Sequence, residues 1–396
     1  MCNKIKIIMD EGFDKIDSWE LAKRIYALNE IGSQEFKSSE LVKQVLKSHG
    51  FKITDNLIGI PTAFRAEKVI GNGEPSVAFL AEYDALRGIG HACGHNLIAA
   101  SAVFSAIRST EKIRNGTIMV FGTPDEEGSG EWSGSKILMA DAGSFNGVDL
   151  VLGSHPGTSW TVGEKKLAVQ DFEITFEGKA AHEAANPELG RSALDAAVLT
   201  MNAVNMMRQH VRRDANVVIH GIIREGGTAS NVTPEKAVLL YGIRSSDLKY
   251  HEELISRFMK IVDGCSRATQ TSFSVKKIGP LFTTHKPNMA LSNEIRKLFI
   301  AKGIDCPTPE ETYGKMPGGS TDFANVSQVV PALQIRFKIA PEGTPWHSRE
   351  SLAAAISESA KKPLEITIEV LSDTVREYTE NIELRKAIAK EFKEQK

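Results

Sequence analysis

Four short segments of this 396-residue chain concentrate side chains that bind metal ions or move protons. Gly90-His91-Ala92-Cys93-Gly94-His95-Asn96 sets a thiol and an imidazole two residues apart, with Gly94 between them to let the backbone turn tightly. Cys93 and His95 can therefore address one metal cluster. A buried free cysteine beside a surface histidine is the competing reading. Gly122-Thr123-Pro124-Asp125-Glu126-Glu127-Gly128 lines up three carboxylates. They repel one another, so something positive should compensate them, and a metal ion does so where a solvated acidic loop would not need one. Gly153-Ser154-His155-Pro156 and Gly343-Thr344-Pro345-Trp346-His347-Ser348 each add an imidazole, although His347 taken alone reads as a surface residue. Together these segments supply donors for two divalent ions, with Cys93 able to bridge as a thiolate. A mononuclear zinc site would leave donors idle.

The elements that must position these groups are legible from patterning. Residues 75–81, 117–121 and 148–152 are short apolar runs bounded by turn signals, as in buried strands, and residues 95–107 are apolar enough for a buried helix. Amphipathic runs start at Ser18 and Ser39. Alternating strands and helices predict an open α/β sheet whose active site lies at the carboxyl ends of its strands, where three successive ends present Cys/His, Glu/Glu and His on one rim. From about Leu167 the style changes. Residues 172–176 alternate strictly, a helix covers residues 191–208, alternating strands follow near 217–223 and 237–243, and a further helix lies near 252–263. This predicts a compact α+β insert with an antiparallel sheet. A buried strand at 330–335 and a closing helix from Ser351 return to the α/β style. The expected organisation is one domain, residues 1–166 with 286–396, interrupted by another, residues 167–285.

Hydrophobic residues at 41%, charged residues at 25% and a net charge of −2 describe a globular chain with no field to attract nucleic acid. No run approaches the ~20 apolar residues that span a bilayer. Met1-Cys2-Asn3-Lys4 reaches Asp10 and Glu11 without the apolar run of a signal peptide, and four scattered cysteines suit a reducing compartment. The expectation is a cytoplasmic protein acting on small molecules.

At these residues the chain resembles the aminoacylase, carboxypeptidase G and succinyl-diaminopimelate desuccinylase family of dinuclear metal amidohydrolases. The resemblance spans nearly its whole length. Ala81-Glu82-Tyr83-Asp84-Ala85-Leu86 followed by Gly90 to Leu97 is particularly similar to the subgroup containing p-aminobenzoyl-glutamate hydrolase subunits and β-alanyl-lysine dipeptidase-like proteins. The resemblance implies an open mixed sheet of the zinc-peptidase type, interrupted by a lid that also forms a homodimer interface. It implies two divalent ions per subunit, zinc first and manganese, cobalt or nickel as alternatives. Cys93 becomes the bridging ligand, Glu127 and His347 complete one ion, and His95 and His155 the other. Glu126 becomes the general base and Asp84 orients a ligand.

In the insert, Gly178-Lys179-Ala180-Ala181-His182 matches the motif whose histidine stabilises the tetrahedral oxyanion in a neighbouring subunit. Asn231 and Arg244 resemble the pair that holds substrate, Arg being suited to a carboxylate by its bidentate fork. Gly318-Gly319-Ser320-Thr321-Asp322 resembles a loop whose backbone amides, at Gly319 and Ser320, approach the substrate carboxylate. The implied activity is cleavage of an amide or peptide bond beside a free carboxylate. A noncatalytic metal-binding subunit is the alternative, and the intact Glu126 counts against it. A thiol-redox role for Cys93 fails because no second cysteine lies near it. Departures from the family pattern are Asp125, Arg87 and the lengthened Glu131-Trp132-Ser133 loop. Asp125 is expected to add negative charge and to reshape the pocket entrance.

Overall fold

The computed structural model describes residues 12–317 and 319–395. The expectations that fall on Met1 to Glu11, Gly318 and Lys396 lie outside the described residues. The strands are β1 (Lys52–Asp55), β2 (Phe64–Ile70), β3 (Ser76–Ala81), β4 (Gly116–Gly122), β5 (Leu150–Gly157), β6 (Ala168–Glu177), β7 (Val218–Glu225), β8 (Lys236–Ser245), β9 (Ser272–Phe282) and β10 (Ala332–Lys338). Two compact units are formed. One contains residues up to Lys165 with His285–Lys315 and Thr321 onward, and the other contains Lys166–Thr284 with Met316–Ser320.

In the first unit six strands run in the order β1-β2-β4-β3-β5-β10. β1 and β2, and β2 and β4, pair antiparallel, while β3 with β4, β3 with β5, and β5 with β10 pair parallel. Every residue of β3 is buried. That is why its sequence is a continuous apolar run rather than an alternating one: both faces are covered. The two-residue period of a strand divides its side chains. Val77, Phe79 and Ala81 join a core that includes Leu97, Ala100 and Val103 of the helix His95–Lys112 and Ile368 and Leu371 of the helix Glu358–Glu380. Ala78 and Leu80 face the other way, against Met139, Phe145, Phe323 and Val326. The parallel strands therefore lie between helical layers, and their carboxyl ends open on one side.

The second unit is a four-stranded antiparallel sheet in the order β7-β8-β6-β9. Phe172, Ile174 and Phe176 of β6 alternate inward onto Val204 and Met207 of the helix Ala193–Arg208 and Leu254, Phe258 and Val262 of the helix Leu248–Thr269. The intervening Asp171, Glu173 and Thr175 are only half-buried.

Two local readings change, and one strand is added. The second helix begins at Phe36 rather than Ser39, which is buried within it and donates to the Thr62 carbonyl. The closing segment is three helices, Arg349–Ala354, Glu358–Glu380 and Ile382–Glu394, because Ser357 caps the second and Asn381 the third. β9 is a strand although Lys276, Lys277, Gly279 and Pro280 dilute its pattern, since the edge of a sheet tolerates charge and proline. No described helix is long and apolar enough to cross a membrane.

Candidate metal centre

The carboxyl end of β3 runs directly into Glu82, Tyr83 and Asp84, all buried. Ten residues later Gly94, at φ +81°, reverses the chain so that His95 starts a helix. A side chain at Gly94 would be strained by that φ, and its Cβ would fall 2.5 Å from Pro156 Cγ. The turn carrying Cys93 and His95 thus packs against the residue that follows His155. β4 ends at Gly122 and delivers Asp125, Glu126 and Glu127, β5 carries His155 near its carboxyl end, and the segment after β10 holds His347 at φ +60°.

These placements bring the donor atoms together. Cys93 Sγ lies 3.5 Å from His155 Nε2, whose Nδ1 is 2.7 Å from the Pro156 carbonyl. His95 donates through Nδ1 to Asp84 Oδ1 at 2.8 Å, and the other Asp84 oxygen accepts the Glu127 backbone N–H at 3.0 Å. His95 Nε2 then faces Glu82 Oε2 at 3.6 Å, Glu127 Oε1 at 3.7 Å and Glu126 Oε2 at 3.8 Å. His347 Nε2 is 3.7 Å from the same Glu127 oxygen, with its side chain 48% exposed. Among the described residues three donor groups have ligand atoms within 4.8 Å of one another: Cys93, His95 and His155; Cys93, Glu127 and His347; and His95, Glu126 and Glu127.

The donor set fits divalent cations. His95 Nε2, Glu127 Oε1 and Glu82 Oε2 are buried with no hydrogen-bond partner among the described residues, a costly arrangement unless a cation satisfies them. Burial pushes the Cys93 thiol up to about 12 and Glu127 up to about 7, and burial together with Glu82 raises Glu126. Burial opposes charge on His95, yet Asp84 and Cys93 hold its pKa well above the usual imidazole range. A cation among these donors takes over the compensating role of that proton and favours the thiolate.

Lys136, absent from the sequence motifs, and Glu82, Thr321 and Asp322, quoted within them without a role of their own, complete the surroundings. Lys136 is fully buried, 2.6 Å from Asp322 and 2.9 Å from Glu82. Burial opposes its charge, but Asp322, Glu82 and Glu126 more than offset that and raise its pKa. Thr321 donates to Glu126 Oε1 at 3.0 Å. The only signal for Lys136 is a lone lysine beside the apolar stretch Ile137-Leu138-Met139-Ala140, too short to show a period. Asp125 is buried, with its carboxylate hydrogen-bonded within its own loop and to Ser33. Arg87, exposed, donates to the Ser129 carbonyl of the same loop.

His182, Asn231, Arg244, Gly319 and Ser320 belong to the second unit. His182 and Asn231 are exposed in facing loops, where His182 bridges to Val232 and Glu183 N–H donates to the Asn231 carbonyl. Arg244, on β8, is half-buried, and neither its Nε nor the buried Ser320 hydroxyl has a hydrogen-bond partner among the described residues.

Residues 168–265 match the peptidase dimerisation domain family. The chain is 33% identical over 346 residues to the Xaa-Arg dipeptidase of Mus musculus, covering 85% of this chain and 78% of that one. It is 33% identical to a p-aminobenzoyl-glutamate hydrolase subunit of Escherichia coli, covering 74% of this chain and 63% of that one. Among solved structures it superposes on a Bacillus subtilis dinuclear metal-binding peptidase from the M20 family with a TM-score of 0.70 at 19% identity, covering 92% and 98% of the two chains. The shared fold, and the identity sustained over most of both chains in the dipeptidase comparison, establish that this chain belongs to the M20 family of metal-dependent peptidases and amidohydrolases.

Proposed function

We propose that the chain hydrolyses an amide or peptide bond beside a free carboxylate, with two divalent ions sharing Cys93. The observation that carries this reading is that Cys93 Sγ belongs to two donor groups at once, one with His95 and His155 and one with Glu127 and His347. Thiolate and imidazole donors favour zinc, and manganese, cobalt or nickel suit the same mixed set. When bound, the ions supply Lewis acidity, polarising the scissile carbonyl and making water more acidic.

The chain's own residues do the rest. Glu126 takes the proton of the attacking water and returns it to the leaving nitrogen. Thr321 holds one Glu126 oxygen and leaves the other turned toward His95 Nε2. Asp84 fixes the His95 ring so that Nε2 is the nitrogen offered to an ion. In this reading residues 1–166 and 286–396 form the catalytic domain and residues 167–285 the lid. The match to a dimerisation domain supports a homodimer in which His182 steadies the oxyanion in the partner's site. Asn231, Arg244 and the Gly319-Ser320 amides receive the substrate carboxylate. The free, buried state of Cys93, Cys265 and Cys306 supports a reducing, cytoplasmic setting.

A p-aminobenzoyl-glutamate-like or other N-acyl amino acid is the first choice of substrate, and a dipeptide the second. The metal-free protein, reloaded separately with zinc, manganese, cobalt and nickel, is to be tested on N-acyl amino acids and dipeptides, including dipeptides ending in arginine. Hydrolysis that disappears on chelation and returns with metal supports the proposal. Protein that binds two equivalents of metal yet cleaves none of the panel overturns it.

A further inference from the structure

We propose that Asp125 is a positioning residue: its carboxylate folds the loop behind Glu126 and Glu127 around itself and so holds Glu127 where an ion can use it. This rests on the reading of Glu127 as a ligand. A carboxylate offers about four acceptor positions, and four donors converge on this one. Oδ1 accepts the backbone N–H groups of Ser129 at 2.9 Å and Gly130 at 3.1 Å. Oδ2 accepts the Ser33 hydroxyl at 2.6 Å and the Trp132 N–H at 3.0 Å. Three loop amides around one buried anion make the concavity that elsewhere receives a phosphate, here filled by the chain itself.

The same residue is tied on its other side. Its N–H donates to Glu35 Oε1 at 2.9 Å, and that oxygen also accepts the Ser33 N–H at 2.9 Å. A Cβ at Gly32 would collide with the Asp125 carboxylate, and one at Gly130 with Ser33, so the two loops are in direct contact. Asp125 adopts φ +57°, a conformation most residues avoid. It directly precedes Glu126 and Glu127, so this backbone setting fixes the direction in which both side chains leave the loop. Asp84 holds the Glu127 N–H from below. Glu127 is thus held directly by Asp84 through its N–H and indirectly by Asp125 through the loop that follows it, and a loop released from Asp125 would leave only the Asp84 bond to place the Glu127 backbone.

The test is a titration of metal-free protein with cobalt(II), read by thiolate-to-cobalt absorbance and by stoichiometry. Wild type, Asp125→Gly, Asp125→Asn and Ser33→Gly are compared with Glu127→Gln, each shown folded by circular dichroism. Glycine at 125 relieves the unfavourable φ while deleting the acceptors, and asparagine keeps the shape and one acceptor oxygen. One of the two cobalt equivalents should weaken by about 10- to 100-fold in Asp125→Gly, the range for a lost outer partner of a ligand. Asp125→Asn should fall between it and wild type, and Ser33→Gly should shift in the same direction. A role confined to stability would lower the unfolding temperature and leave both equivalents at wild-type affinity, overturning the inference. If Asp125→Gly does not fold, Ser33→Gly and Asp125→Asn decide by the same criterion. Should Glu127→Gln itself leave both equivalents unchanged, the ligand assignment fails instead.

Discussion

Asp84 and His95 form a hydrogen bond of 2.8 Å in which neither side chain has any exposure to solvent. One Asp84 oxygen fixes the imidazole and the other fixes the Glu127 N–H, so a single carboxylate sets two members of the donor set. In Asp84→Asn the amide can keep only one of these acceptors and turns its NH2 toward the other donor. Metal affinity should fall about 10- to 100-fold, as for other partners that orient a ligand. Isothermal titration of the metal-free variant checks this. Unchanged affinity would show that the two bonds do not orient the donors.

Cys93 is buried, and in metal-free protein its thiol is pushed up to about 12 by that burial. An ion at the site favours the thiolate but occupies its lone pairs. Alkylation of Cys93, followed by mass spectrometry, should be slow in the loaded protein and faster after chelation. Equal rates in both forms would argue against ligation.

The shared-site reading separates Glu126 from His182 by subunit. Glu126→Gln cannot accept the proton, and its turnover should fall about 100-fold or more with metal content retained. His182→Ala should be similarly poor. When both inactive variants are dissociated together and reassembled, half the dimers are mixed, and each mixed dimer has one complete site of two. Activity should return to roughly a quarter of wild type. If His182 serves its own subunit, mixing restores nothing.

Glu35 predicts a pH dependence of stability. Burial, with a contribution from Asp84, raises its pKa from 4.5 to about 8. The folded state therefore binds this proton more tightly than the unfolded state. Its contribution is full below pH 4.5, declines as pH rises, and is lost above about 8. Chemical denaturation at pH 5 and pH 8 should show a loss of stability on raising the pH, and Glu35→Gln should flatten that slope. An unchanged slope in the variant would assign the pH dependence to other groups.

Much of the sheet and the donor set is legible in the sequence for one reason. In the parallel part of the mixed sheet β3, β4 and β5 read as apolar runs, so polar residues that close or follow each run mark a strand end. Glu126 and Glu127 closely follow β4, His155 lies near the carboxyl end of β5, and Cys93 and His95 close the connection that leaves β3. Lys136 and Glu82 do not stand out, because a charged residue in a short apolar stretch is recognisable as buried only when its partner is known, and Asp322 lies 186 residues away. β1 and β2 are short or mixed in pattern, and the charged edge strand β9 lacks the alternation that identifies β6. Asp125 shows the same limit on a smaller scale. Three acidic residues in a row look alike in sequence, while the fold spends the first on four donors of its own chain and turns the next two toward His95 or its neighbours.

The contact of Gly94 with Pro156 has a thermodynamic consequence. Cys93 and His95 flank one partner of that contact and His155 immediately precedes the other, so the close packing of Gly94 against the Pro156 ring constrains the spacing of three donors before any ion arrives. Little conformational entropy remains for an ion to remove at that position, and a preorganised cage of this kind gains affinity by avoiding the cost of ordering its ligands. A larger residue at 94 would act as a wedge, spreading the cage while leaving every donor atom in the chain.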